Sequence, residues 1–157
     1  MVKSTVAIVT DSASDIPPDA AKKLGITIVP VIVSFGSESF KVNEELSMDE
    51  FWKRLTAPGA PFPKTAAPPP AAFTAAYDRA FAGGAQEIVS VHVASKLSAT
   101  YRNAEIAAAD HPQSKNIHLV DTATASAAEG LLVARAYHRA EEGWKAPQIV
   151  AELGELI

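Results

Sequence analysis

The residues of this chain best placed for chemistry are the hydroxyls of "VSVHVASKLSATYRNAE", Val89 to Glu105. An apolar run ends at Ser95, and Ser98 and Thr100 follow just before a helical pattern begins. Serine and threonine are small neutral donors, and a helix start adds free N–H groups and a partial positive charge. Together they suit an anion, either a carboxylate or a phosphate. Two other stretches have the same make-up, Asp11-Ser12-Ala13-Ser14 and Asp121 to Ser126, and Lys64-Thr65 precedes a further helix. Any one of these hydroxyls serves equally well as a helix cap. The recurrence of the pattern is what points to a ligand. Lys96 is the only cation close to these hydroxyls. With Ser95 and Ser98 turned inward, it is expected to face outward, to water or a partner.

Other chemistries find less support. Asp11 and Asp121 each end an apolar run, where a carboxylate could serve a magnesium-dependent phosphotransferase or hydrolase, and where it equally caps the next turn. His92, His111, His118 and His138 lack metal-ligand spacing, and His92 and His118 read as structural strand residues. No GxGxxG, GxxxxGK[ST] or GxSxG occurs, and no nucleophile is seen paired with a base. No cofactor is implied. The absence of cysteine removes disulfides, thiol catalysis and cysteine metal sites, and fits the cytoplasm. With 14 basic and 18 acidic residues and no basic cluster longer than Lys22-Lys23, the chain lacks the basic face of a nucleic-acid binder. "MVKSTVAIVTD" does not read as a signal peptide, and no window approaches the roughly 18 apolar residues of a membrane span. The expectation is a soluble intracellular protein without an integral membrane segment.

The elements that must carry these loops alternate. Thr5–Thr10 is a β-branched apolar run of the kind covered on both faces. Pro17 and Pro18 suit the first turn of a helix that stops at Gly25. Ile26–Phe35 reads as a second strand, with Pro30 marking an edge or bulge. "GSESFKVNEE" is a hairpin or irregular excursion, and Ser47 with Glu50 forms a capping box for the next helix. The proline-rich Ala57–Ala72 is expected to be an ordered loop, because it runs directly into a helix with Phe73, Tyr77 and Phe81 four residues apart. That stripe reads as core. Strands at Glu87–Val93 and Asn116–Val120, each followed by a helix, complete the pattern. A last helix starts near Pro147. The 157 residues therefore give one α/β domain, a parallel sheet with helices on both faces in a Rossmann-like arrangement. Ligands of such sheets sit at the carboxyl ends of the strands, which is where the hydroxyl loops fall.

The motifs, in order, resemble a known family. "VAIVTDSASDIP", "GITIVPV", "KTAAPPPAAF", "SKLSATYRNAEIAA" and "VDTATASAAEGLLV" are similar to the successive motifs of the DegV family, bacterial fatty-acid-binding proteins. The resemblance covers that family's amino-terminal domain, residues 1–157 here, and implies a second α/β domain that this chain lacks. It implies a lipid-binding carrier, not a catalyst. One long-chain fatty acid has its tail buried and its carboxylate held by hydroxyls of the first domain and groups of the second. In some members the loaded carrier presents the acid to a separate fatty acid kinase. By position, the resemblance assigns Thr65, Ser95, Ser98 and Thr100 to the head group, and gives Asp121, Ser126 and Gly130 a structural part.

The chain departs from the family pattern at several places. Ala66, Pro69 and Ala94 stand where the family has serine, Ala99 where it has glycine, Thr122 where it has serine, and Val42-Asn43 replaces an Asp-Gly. Fewer donors imply weaker anion binding, by about 1 kcal/mol for each neutral hydrogen bond lost, and leave open the alternative of a structural domain whose ligand site has decayed. Ala99 is expected to crowd the backbone if the glycine serves a positive φ. The surface that would face the second domain is expected to be apolar and prone to self-association.

Overall fold

The structure, a computed structural model, describes residues 4–157. Its centre is a four-stranded parallel sheet made of β1 (Val6–Asp11), β2 (Thr27–Val29), β6 (Glu87–His92) and β7 (Ile117–Asp121), in the order β2-β1-β6-β7. Alternation along the strands sends side chains to opposite faces. Val6 and Ile8 of β1, with Val89 and Val91 of β6, meet α1 (Pro18–Leu24), α5 (Ala127–Glu141) and α6 (Ala146–Leu156). Val9 and Ile88 face the other way, against Phe73, Ala76 and Tyr77 of α3 (Pro70–Ala82) and Ala104, Ala107 and Ala108 of α4 (Thr100–Asp110). The α/β class with helices on both faces is thus as expected.

A second sheet was not foreseen. The expected strand Ile26–Phe35 breaks at Pro30: its first part is β2, and its second, β3 (Ile32–Phe35), leaves the parallel sheet. There it pairs antiparallel with β4 (Glu38–Lys41) and β5 (Lys64–Ala66). Pro30 has no N–H to give a ladder, and Val31 N–H turns aside to Ser12 Oγ at 3.0 Å. The hairpin expected from "GSESFKVNEE" is the β3–β4 turn. The proline-rich loop is ordered, as read, and it holds β5. Phe35 and Phe40 of this sheet, and Val42 just past β4, pack with Phe51 of α2 (Met48–Leu55) into a small core of their own. The capping box is half made. Ser47 Oγ accepts from Glu50 N at 3.2 Å, but the Glu50 carboxylate goes to Arg54 Nε at 2.9 Å. Asn43 takes φ 64° where the family pattern has glycine, a conformation asparagine tolerates.

The order of the parallel strands reverses between β1 and β6. From β1 the chain moves to β2 on one side and later to β6 on the other. Such a switch point leaves a crevice at the carboxyl ends of the two strands. The loop after β1 and the loop carrying Ser95 to Thr100 both open there. Among the described residues, no helix is long and apolar enough to cross a membrane.

Candidate ligand-binding site

Three loops meet at this edge and are tied to one another mainly through backbone groups. After β1, a 3₁₀ turn, Ser12–Ser14, is capped by Asp11, whose Oδ1 accepts from Ala13 N at 2.9 Å. After β7, Ser126 N donates to Ala13 O at 2.8 Å and Ser126 Oγ reaches Asp15 Oδ2 at 2.5 Å. Between them, Ala94 N donates to Thr124 O at 2.8 Å, and Thr122 Oγ1 donates to His92 O at 2.9 Å. Thr122 therefore does what a serine hydroxyl could do there. Gly130 on α5 lets the helix close on the first loop, since a Cβ at that position would lie 2.6 Å from Ser14 O.

The four expected ligand residues occupy different depths. Ser95 is exposed, and its N–H is taken by Asp121 Oδ1 at 3.1 Å, so its hydroxyl is the group it can offer. Ser98 is half-buried. Its Oγ accepts from Thr100 N at 3.2 Å and lies 2.8 Å from Thr100 Oγ1. Thr100 is fully buried, so it backs Ser98. With the Thr100 hydroxyl as donor, the Ser98 proton is left free for a ligand. Thr65 is exposed on β5, opposite Val33. Among the described residues, no hydrogen bond joins Thr65 to the other three. The link between the two regions runs through Asn103 of α4, whose Nδ2 donates to Pro68 O at 2.8 Å, just beyond β5. Lys96 is exposed, as expected. Ala99 has φ −72°, an ordinary value, so the feared crowding does not arise. Ala94 is buried, so a serine there would present its hydroxyl to the interior.

Beneath these loops runs a chain of buried polar groups that the sequence reading did not assemble. Asp11 Oδ2 lies 3.0 Å from His92 Nδ1 and accepts from Val93 N at 3.2 Å. His92 Nε2 lies 2.6 Å from Ser90 Oγ, which in turn lies 3.1 Å from the Tyr77 hydroxyl. Burial pushes the Tyr77 phenol up to about 12, against the pull of Ser90. The order carboxylate–imidazole–hydroxyl copies that of a nucleophilic triad. Here all four side chains are fully buried, so the Ser90 hydroxyl meets no substrate. The expectation of a structural His92 holds. The one visible signal was the polar pair Ser90 and His92 two apart on an apolar strand, which places both on one face.

Glu129, near the start of α5, is also fully buried. Its Oε1 accepts from Thr10 Oγ1 at a long 3.4 Å, and Oε2 has no partner among the described residues. Burial, then the charge of Asp11, raises its carboxyl to about 9, so it is neutral at pH 7. The reading of Asp11 as a magnesium ligand fails on the same geometry. Asp11 is inaccessible and both its oxygens are engaged. Asp121 accepts from Ser95 N and from Ala123 N, each at 3.1 Å, on one oxygen. Among the described residues, no group of three or more His, Asp or Glu side chains could hold a metal ion.

The fold and these loops define an α/β domain with a hydroxyl-lined rim at its switch point. The sequence matches the DegV family over residues 5–157, and the chain belongs to that family. A DegV domain-containing protein of Deinococcus radiodurans is 36% identical over 149 residues, which is 95% of this chain and 52% of that protein. A solved DegV-family structure from Thermus thermophilus, described for its fatty-acid binding, is 36% identical, with TM-score 0.85 over 96% of this chain and 52% of that one. A stearic-acid-binding protein from Eubacterium ventriosum is 26% identical, with TM-score 0.84 over 95% and 52%. The chain thus spans about half the length of the relatives it matches.

Proposed function

We propose that this chain holds the carboxylate of a long-chain fatty acid at the carboxyl edge of its parallel sheet and acts in the cytoplasm as half of a lipid carrier. Ser95, Ser98 and Thr65 are the donors, and Thr100 orients Ser98. The observation that supports this most is the placement of the Ser95–Thr100 loop. It opens at the β1/β6 switch point, offers neutral hydroxyls outward, and is fixed from below by Asp11 through Val93. The bound fatty acids described for its structural relatives support the same reading. Leu97, 70% exposed between the two serines, gives the start of a tail an apolar neighbour. The rest of the tail needs an enclosure, and each CH₂ left in water forfeits about 0.8 kcal/mol. In this reading a second domain provides it, and the loaded protein presents the acid to a separate fatty acid kinase. The protein is a carrier and performs no catalysis itself.

Mass spectrometry of the purified protein after denaturation tests the reading, together with titration by a fluorescent long-chain fatty acid. A co-purified fatty acid, and binding weakened about tenfold by Ser95→Ala, are expected, from about 1.5 kcal/mol for a hydrogen bond to a charged group. Absence of fatty acid with no saturable binding would refute it, as would magnesium-dependent turnover of a phosphate ester that is lost in Asp11→Asn. The 157 residues alone should bind weakly, so sub-micromolar affinity in that monomer would refute the part assigned to a second domain.

A further inference from the structure

We infer that Asp121 is the positioning residue of this site and sets the charge it tolerates, an inference that rests on the head-group reading above. Asp121 ends β7, opposite His92 in the strand register. Its single oxygen Oδ1 holds the amides of Ser95 and Ala123, each at 3.1 Å, and so pins the loop after β6 to the loop after β7. The second of these amides belongs to a strained residue, since Ala123 has φ 52° without being glycine. Releasing both bonds loosens the tips of the two loops, which stay joined at their bases by Ala94 N to Thr124 O and Thr122 Oγ1 to His92 O.

The same contact has an electrostatic consequence. Ser95 spends its N–H on Asp121 and its hydroxyl leans on the same carboxylate, so a ligand carboxylate has to compete with Asp121 for the Ser95 hydroxyl proton. Burial draws the Asp121 proton affinity up, but the Ser95 hydroxyl, the amides of Ala123 and Ser95, and the charge of Lys96 outweigh it and keep Asp121 ionised below the usual range. Tyr101, on α4, is the other titratable group that senses this charge, and its phenol is pushed up by burial, by Glu105 and by Asp121. Lys96 is exposed and is the sole cation among these neighbours. An anionic head group is therefore held by hydroxyls against a like charge. That keeps its affinity moderate, as a protein that must hand its ligand on requires. A neutral head group feels the hydroxyls without the repulsion.

Asp121→Asn keeps the acceptor oxygen and removes the charge, whereas Asp121→Ala removes both. The protein and the two variants are titrated with a fluorescent long-chain fatty acid, and with a long-chain alcohol in competition. Asp121→Asn should bind the acid about fivefold more tightly, the size of a like-charge contact at a few ångströms in water, and the gain should shrink in 1 M salt. The alcohol should gain nothing. Asp121→Ala should bind the acid more weakly, and amide hydrogen exchange should speed up together in residues 94–98 and 122–126. Loss of acid affinity in Asp121→Asn equal to that in Asp121→Ala would overturn the charge-setting role. Unchanged exchange in Asp121→Ala would overturn the positioning role. If the unaltered protein binds no fatty acid, the head-group reading and the charge-setting role fall together, while the exchange measurement still decides the clamp.

Discussion

Replacing Glu129 by glutamine should stabilise the protein at neutral and alkaline pH and flatten its dependence on pH. The folded state holds the Glu129 carboxyl neutral up to about 9, whereas an ordinary glutamate loses its proton near 4.5. Between those values the folded chain carries a proton that the unfolded chain has released. Stability therefore falls as pH rises through this window, and is not affected by Glu129 below it. One proton contributes at most about 1.4 kcal/mol per pH unit, so from pH 5.5 to 8.5 the ceiling is roughly 4 kcal/mol. Local relaxation and water entry reduce such penalties, and a loss of about 2 kcal/mol is expected. Glutamine is nearly isosteric, accepts from Thr10, and cannot ionise beside Asp11. Urea unfolding of both proteins at pH 5.5, 7 and 8.5 isolates the effect, because every other titrating group cancels in the difference. The variant's advantage over the parent is expected to grow by about 2 kcal/mol between pH 5.5 and pH 8.5. A difference that does not change with pH would show that Glu129 is ionised or exposed in the folded protein.

Other changes test the loops and their support. Lys96→Ala should alter fatty-acid affinity less than about twofold, against about tenfold for Ser95→Ala, by titration in a two-domain protein that adds the second half of a full-length relative. Gly130→Ala places a Cβ 2.6 Å from Ser14 O and should cost about 1–3 kcal/mol in chemical denaturation, since backbone must move to relieve it. His92→Ala leaves Asp11 and Ser90 without their shared partner and a void beside Phe73, whose ring centroid lies 5.1 Å away. A loss of about 3–5 kcal/mol is expected in the same assay.

Much of the scaffold could be read from local signals. β1, β6 and β7 are largely apolar runs, and three of the six helices, α1, α3 and α6, carry proline at their starts. The division of Ile26–Phe35 between two sheets was hidden, because Pro30 says only that a ladder is interrupted and not which sheet the next strand joins. β5 is three residues long and stands among prolines, so no period could reveal it. The hydroxyls at the rim were visible because they cluster in sequence. Their support was not: Asp11 and His92 are 81 positions apart, and a pair so distant leaves no spacing to recognise. Glu129 stands in the first turn of α5, where an acid is favourable in water. Only the packing of α5 against the Ser12–Ser14 turn removes it from water and turns a favourable charge into a neutral buried acid.

The substitutions that set this chain apart from its family pattern fall unequally on the site. Ala99, Asn43 and Thr122 replace family residues at positions where the new side chain meets the same backbone requirement. Ala94 forfeits a hydroxyl that would point inward, and Pro69 sits at the start of α3 with φ −68°, which proline favours. Ala66 is different. It is exposed on β5 next to Thr65, on the side of the site that no hydrogen bond ties to the Ser95 loop. The lost donors therefore concentrate at the β5 wall, while the wall made by β6 and β7 keeps its hydroxyls and the clamp that orients them. In the proposed reading a carboxylate bound here leans on Ser95 and Ser98, and Thr65 is left as the hydroxyl of the β5 wall without a serine beside it. On that reading the asymmetry puts the larger share of binding strength at Ser95 and at Asp121, the carboxylate that holds its amide.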